Sequence, residues 1–198
     1  MNIFNEKEFE NLRQKFGGKA FCKDVTIKYK NKSFYERMKK TIETDRRGEV
    51  VFCVIRPNGK IITVTCDSYP EGIYRIPTGG LKYNEDVVKG VYREVREELG
   101  LSVEITDFAG VLRIKFEHEN DSCMFYSYMF VLKETGGRLL EDAEDDEISA
   151  VKEVDIKGLE DVANGLKTIT ESWSDWGNFR YQTTSEIANF LKQKMLTE

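Results

Sequence analysis

Apolar and polar positions change period several times along the chain, and each change marks an element. Residues 4–15 (FNEKEFENLRQK) follow a helical spacing and predict a short amphipathic helix, broken at Phe16-Gly17-Gly18. Residues 23–30 alternate charged with apolar side chains (Val25, Ile27, Tyr29), the pattern of a half-buried strand. Asn31-Lys32 then turns the chain into residues 33–44, whose pattern suits strand and helix alike; as a strand it would close a hairpin. Residues 48–56 (GEVVFCVIR) are rich in β-branched side chains, Pro57-Asn58-Gly59 is a turn, and residues 60–65 (KIITVT) complete a hairpin.

A loop leads through Arg75 and the pair Gly79-Gly80 to residues 85–99, which predict a helix with Asn84 as its N-cap and Gly100 as its stop. Further strands are predicted over 103–116, 124–133 and 147–154, and helices over 156–166 and 184–195. No internal repeat or low-complexity segment interrupts this order. Strands on both sides of one well-marked helix imply a mixed α/β or α+β sandwich. Residues 1–47 read as an N-terminal extension, a short helix with a hairpin as one reading, and 48–198 as the main domain with a C-terminal helix.

The helix at 85–99 carries the chemistry. At about 100° per residue, Glu94, Glu97 and Glu98 fall within an arc of roughly 100°. Val87, Val88, Val91, Val95 and Leu99 fill a neighbouring arc of about 120°. The helix therefore buries its aliphatic stripe and still presents its carboxylates along one edge. Gly90, one turn before Glu94, leaves space on that side at a cost of about 1 kcal/mol in helix propensity. Taken alone, REVREE is equally a solvated, charged helix face.

Charge and composition sharpen the reading. The chain has 198 residues, 40% hydrophobic and 33% charged, and so reads as a folded protein rather than a disordered one. A net charge of −5 disfavours duplex nucleic acid as a partner, and no segment has the length and apolarity of a membrane span or signal peptide. An anionic substrate would need positive charge from elsewhere, and a divalent cation is the obvious source. Cys22, Cys53, Cys66 and Cys123 are scattered and form no C-x-x-C pair, which reads as buried free thiols in a reducing cytoplasm. His118 is the only histidine, so Ser-His-Asp catalysis is disfavoured and any general base is a carboxylate.

The wider spacing is more specific. Gly79, five residues, Glu85, seven residues, Arg93-Glu94-Val95, one residue, Glu97-Glu98, one residue, Gly100-Leu101: this resembles the Nudix box, G-x5-E-x7-R-E-U-x-E-E-x-G-U, at every specified position. The one departure is Pro77-Thr78-Gly79-Gly80, where many members read P-G-G; the register to Glu85 is kept. The resemblance implies an α/β/α sandwich around a mixed sheet and a hydrolase dependent on Mg²⁺ or Mn²⁺. Its substrate would be a nucleoside diphosphate linked to another moiety, ADP-ribose or a nucleotide sugar first, with oxidised nucleoside triphosphates and capped RNA as alternatives. By the same resemblance Glu94, Glu97 and Glu98 would hold metal and catalyse, the Gly79 carbonyl would be a further ligand, and Glu85 with Arg93 would form a structural ion pair. A nucleotide-binding sensor without turnover is the competing reading; an intact box disfavours it. The N-terminal extension would suit a homodimer of the kind some relatives form.

Outside the box, the acidic run 141–147 offers one carboxylate to complete the site: Glu147 first, Asp142 and Glu144 after it. The loop 69–75 offers Tyr74 and Arg75 as substrate contacts. The stretch 172–180 holds both tryptophans, Trp173 and Trp176, and Arg180. It reads first as packing for the terminal helix and second as a surface for a base and a phosphate.

Overall fold

The computed structural model describes residues 4–17 and 19–196, so Gly18, part of the predicted helix break, lies outside the described residues. Helix α1 (Glu6–Phe16) starts where the Asn5 side chain accepts the Glu8 N–H at 3.1 Å, and it ends on Arg13 and Lys15, charges that suit its dipole. Strand β1 (Phe21–Lys28) follows, then helix α2 (Lys32–Thr44). Of the two readings left open for residues 33–44, the helix forms and the extension hairpin does not. Asn31 caps α2 by accepting the Phe34 N–H, and α2 buries Tyr35 and Ile42, two turns apart on one face. β1 instead runs parallel to a distant strand, in register from Phe21↔Gly110 to Lys28↔Glu117.

Strands β2 (Arg46–Ile55), β3 (Ile61–Thr65), β4 (Thr78–Lys82), β5 (Leu101–His118), β6 (Asp121–Gly137) and β7 (Ala150–Val154) complete a mixed sheet of order β1-β5-β6-β2-β3-β7, with β4 pairing β2. β7 begins at Ala150 rather than at the predicted residue 147, and β5 and β6 extend as one long hairpin beyond their predicted ends.

Successive side chains of β2 enter opposite layers, as a strand covered on both faces requires. Val50, Phe52 and Val54 pack with α1 and with helix α3 (Val87–Glu94). Val51 and Cys53 pack with α2, α4 (Ile156–Lys167) and α5 (Ser174–Met195). The result is the α/β/α sandwich expected from the sequence. Among the described residues, no helix is long and apolar enough to cross a membrane.

α5 starts ten residues before its predicted beginning. Buried Asp175 in its first turn accepts the backbone N–H groups of Lys30 and Asn31 at 2.8 and 2.9 Å, which ties α5 to the entry of α2. The four cysteines are all free, but only Cys53 is buried and Cys22 is exposed, because β1 is an edge strand with one open side. His118 is structural: its Nδ1 donates to the Tyr29 carbonyl at 2.9 Å and its ring stacks on Tyr35.

Phe179 fastens α5 to the sheet. It is fully buried and meets Phe116 and Phe125 edge-on at centroid distances of 5.1 and 6.0 Å. We expect Phe179→Ala to lower the unfolding free energy by about 3–5 kcal/mol in urea titrations, the usual result of emptying such a site. A loss below about 1 kcal/mol would show that α5 adds little to the core.

Candidate functional site

β4 carries Thr78-Gly79-Gly80 along the central strand, with Gly79 opposite Val50 and Gly80 opposite Glu49. The chain then turns at Asn84, whose φ of 63° is left-handed. Asn84 is therefore not the N-cap. Asp86 is: its carboxylate accepts the Lys89 N–H at 3.0 Å. α3 runs to Glu94 and passes into one π-helical turn, Val95–Leu99, closed by Gly100 at φ 68°. A wider turn of this kind, frequent at functional sites, re-aims the last carboxylates relative to a straight α-helix. Glu94 and Glu98 are each only 8% exposed, and Glu97 is more open. Gly79 lets the Glu94 carboxylate lie directly against the strand, because a Cβ at that position would force the Glu94 side chain to move. Gly90 serves internal packing: a Cβ there would press on Leu81 and approach the Glu85 carboxylate.

Arg93 binds the whole element together. Its Nε and Nη2 donate to Glu85 at 2.7 and 2.9 Å, and Nη2 also donates to the Gly80 carbonyl at 2.9 Å. Its Nη1 donates to Glu94 at 2.6 Å and to Glu97 at 2.8 Å. The Glu85–Arg93 pair expected from the sequence is thus present, and the same guanidinium also reaches two of the presumed ligands. For Glu85, burial works against ionisation, but Arg93 and the Lys82 N–H outweigh it and hold the carboxyl below its usual range.

The deeper carboxylates behave oppositely. Burial raises the Glu94 carboxyl, with Arg93 opposing. Burial pushes Glu98 up to about 8; Arg75 opposes this, and the charges of Glu94, Asp145 and Glu147 reinforce it. Glu98 Oε2 is buried with no hydrogen-bond partner among the described residues.

The acidic loop reaches this point through its backbone. The Glu144 and Asp145 N–H groups donate to the Glu97 carbonyl at 2.9 and 3.1 Å, and the Leu140 N–H donates to that of Leu99 at 2.9 Å. These carbonyls, left open at the end of the helix, are what the loop docks on. Of the three acidic candidates, Asp142 is tied to Arg138 at 2.6 Å and Glu144 to Arg96 at 3.1 Å. Glu147 is exposed and forms no ion pair among the described residues, and its charge acts on Glu98. Asp145 acts on Glu98 in the same way and was not singled out from the sequence; its only signal there was membership of the acidic run.

The other sequence candidates separate. Arg75 is 7% exposed, and it donates to Tyr69 Oη at 2.8 Å, to the Ile76 carbonyl at 2.9 Å and to Thr78 Oγ1 at 3.0 Å. It is built into the wall beside Glu98. Tyr74 lies under Lys152, with Nζ 5.8 Å from its ring centre. Arg180 donates to Glu49 at 2.7 Å, and Glu49 also accepts from Ser127 at 2.7 Å. A cavity of about 270 Å³ lies against Arg180, Arg46, Tyr69 and both tryptophans. It adjoins the box, because the Arg46 guanidinium lies where a side chain on Gly80 would be and acts by charge on Glu94. A larger cavity of about 690 Å³, between β1 and the end of α5, is lined by no box residue.

Among the described residues, no three acidic, histidine or cysteine groups already converge as a metal-ligand set, since Arg93 stands between Glu94 and Glu97. The donors nevertheless fit a hard divalent cation. They are all oxygens, two are destabilised by burial, and Glu98 Oε2 lacks any hydrogen-bond partner among the described residues.

Residues 45–174 match the family model described as NUDIX domain. Solved structures with a similar course of the chain include an ADP-ribose pyrophosphatase from Streptococcus suis, at 14% identity and TM-score 0.42, covering 71% of this chain and 88% of that one. Another is a dihydroneopterin triphosphate pyrophosphohydrolase from E. coli, at 14% identity and TM-score 0.46, covering 73% and 96%. A third is a NUDIX hydrolase from Nitrosomonas europaea, at 14% identity and TM-score 0.46, covering 68% and 88%. No curated protein matches the chain in sequence.

Burial of Glu98 has a consequence for the metal-free protein. With its folded pKa raised from 4.5 to about 8, the folded state holds a proton that the unfolded state lacks throughout that window. This contribution to stability is therefore lost as pH rises from about 4.5 to about 8. In chelator, the melting temperature of Glu98→Gln should fall less than that of the parent across this range. Parallel curves for the two proteins would contradict the assignment.

Proposed function

This chain belongs to the NUDIX family, and from that premise we propose that it is a pyrophosphohydrolase that cleaves the phosphoanhydride bond of a nucleoside diphosphate joined to a second group, of the ADP-ribose or nucleotide-sugar type. The observation that carries the reading is the buried pair Glu94 and Glu98, held beside Glu97 with Glu98 Oε2 unpartnered. Burying two ionised carboxylates together costs several kcal/mol; without metal Glu98 avoids that cost by keeping a proton, and a bound cation would take that proton's place. A protein that keeps them there has a use for that cation.

Glu94 and Glu98 would hold Mg²⁺ or Mn²⁺, with Glu97 joining once it leaves Arg93 and the Gly79 backbone close by. The ion, when bound, neutralises the diphosphate and polarises its phosphoryl oxygens. Glu147 is the carboxylate in this reading that takes a proton from the attacking water, since it is exposed and free of a competing ion pair among the described residues. Water oxygen forms the new bond to phosphorus, the anhydride P–O bond breaks, and two phosphate monoesters leave. Arg93 keeps Glu85 and Gly80 in place while the ligand carboxylates move. Arg75 limits the charge accumulated around Glu98.

Purified protein incubated with Mg²⁺ and a panel of nucleoside diphosphate derivatives should release product, and excess chelator should abolish turnover. Glu94→Gln, Glu97→Gln and Glu98→Gln should each lower kcat by about 10²–10³, the usual cost of removing one electrostatic group at such a site. Glu104→Gln, exposed on β5, should retain full activity. Near-parental kcat in all three box variants, each shown to be folded, would refute the reading.

A further inference from the structure

The cavity beside Arg46 is walled largely by chain that lies outside the family match, which begins at residue 45 and ends at 174. From before it, α2 presents Phe34, Arg37, Met38 and Thr41 to the cavity. These positions follow the i, i+3, i+4, i+7 rule, so they form one face of the helix. From after it, α5 presents Trp176, Phe179 and Arg180. The two helices are held in this relation by Asp175 of α5, which accepts the N–H groups of Lys30 and Asn31 at the entry to α2.

The lining has a definite chemistry. Aromatic rings follow one another along it: Tyr69 to Trp176 at 4.6 Å, Trp176 to Trp173 at 5.3 Å, and Trp173 to Phe34 at 5.8 Å between centroids. Among the lining residues three arginines, Arg37, Arg46 and Arg180, accompany one carboxylate, Glu49, and Arg46 is also paired with Asp45 at 2.7 Å outside the lining. Glu49 is already engaged by Arg180 and Ser127. Arg180 is fixed by that contact, yet its buried Nε–H has no acceptor among the described residues. Arg37 is exposed at the rim and lies over the Phe34 ring at 5.5 Å, with no ion pair among the described residues. At about 270 Å³ the cavity is below the roughly 300 Å³ at which pockets begin to hold a drug-sized molecule. It has room for one ring system and not for a whole dinucleotide.

We propose that α2 and α5 together form the subsite for the nucleobase of the substrate: Phe34 and Trp176 stack on the ring, the Arg180 Nε–H meets an acceptor on its edge, and Arg37 and Arg46 lead the diphosphate toward Glu94. This rests on the phosphoanhydride reading above. It assigns the segment before residue 45 a place in the substrate site. Selectivity for the ring is then set by two helices outside the family domain, whereas the bond cleaved is set by the box. The apolar faces supply sequence-tolerant stacking, and the guanidiniums supply charge.

Trp173 and Trp176 are the only tryptophans in the chain, so intrinsic fluorescence reports on this cavity directly. The full-length protein is titrated in Mg²⁺ with ADP, with UDP, and with inorganic pyrophosphate as a probe that lacks a ring. We expect quenching by at least one nucleotide and none by pyrophosphate. Phe34→Ala should weaken nucleotide binding by about tenfold or more, in line with the loss of one stacking partner. In turnover of any substrate found, it should raise KM by a larger factor than it lowers kcat. Because Phe34 is partly buried, Arg37→Ala at the exposed rim is the companion variant, and it should also weaken nucleotide binding with no change in melting temperature. Nucleotide quenching that depends on Phe34, in a protein that hydrolyses nothing, would support the subsite and overturn the hydrolytic reading. Hydrolysis with KM unchanged in both variants would overturn the subsite and leave the hydrolytic reading intact. Equal quenching by pyrophosphate would likewise overturn it.

Discussion

Arg93 has five N–H donors, and the structure gives them five acceptors: two oxygens of Glu85, the Gly80 carbonyl, and one oxygen each of Glu94 and Glu97. One planar side chain thereby joins the strand before the helix, the turn that opens the helix and the carboxylates near its end. A lysine could not replace it, because an ammonium offers three donors from a point and no fork. With the two ends of the element fixed to each other, Glu94 and Glu98 are held in a buried position whose cost to a charged carboxylate keeps Glu98 protonated in the absence of metal. Glu98 is left outside this arrangement, and its Oε2, without a hydrogen-bond partner among the described residues, marks where compensation is missing.

Backbone geometry makes the same arrangement accessible. Gly79 lets a carboxylate lie directly against β4, and Gly100, at a left-handed φ, lets the chain leave the π turn where the backbone of Asp142 and Ala143 crosses it. The acidic loop then docks by donating N–H groups to the Glu97 and Leu99 carbonyls, which fixes its main chain; Asp142 and Glu144 are taken up by Arg138 and Arg96, and Glu147 keeps its side chain out of any ion pair among the described residues. The proposed site sits where β4 leaves β2. The aromatic cavity opens nearby on the layer formed by α2 and α5, with Arg46 between them.

The box was legible residue by residue, because its spacing is a property of one continuous segment. The Glu85–Arg93 pair and the layered α/β architecture followed from it and were found. What was not legible depended on partners far away in sequence. Residues 33–44 looked ambiguous because their helix is fixed by a cap at Asn31 and by burial of Tyr35 and Ile42 against the sheet. The start of α5 was missed because Asp175, polar and uninformative in a local window, is buried by contacts with Lys30 and Asn31. The N-cap was misplaced by two residues because Asn84 and Asp86 are both good capping residues, and only the left-handed φ of Asn84 decides between them. Asp145 stood in an acidic run with no feature to separate it from its neighbours until the loop was docked.

If the fold holds these carboxylates close in order to receive a divalent cation, the folded state alone should gain stability from that ion. Thermal unfolding with and without Mn²⁺ tests it without requiring the substrate to be known. At an Mn²⁺ concentration about a hundred times its Kd, binding to the folded state alone adds about 2.7 kcal/mol, or roughly 5–10 °C in a chain of this size. Mn²⁺ should produce such a rise in the parent protein, and most of it should be lost in Glu98→Gln. No rise in the parent, or an equal rise in the variant, would contradict it.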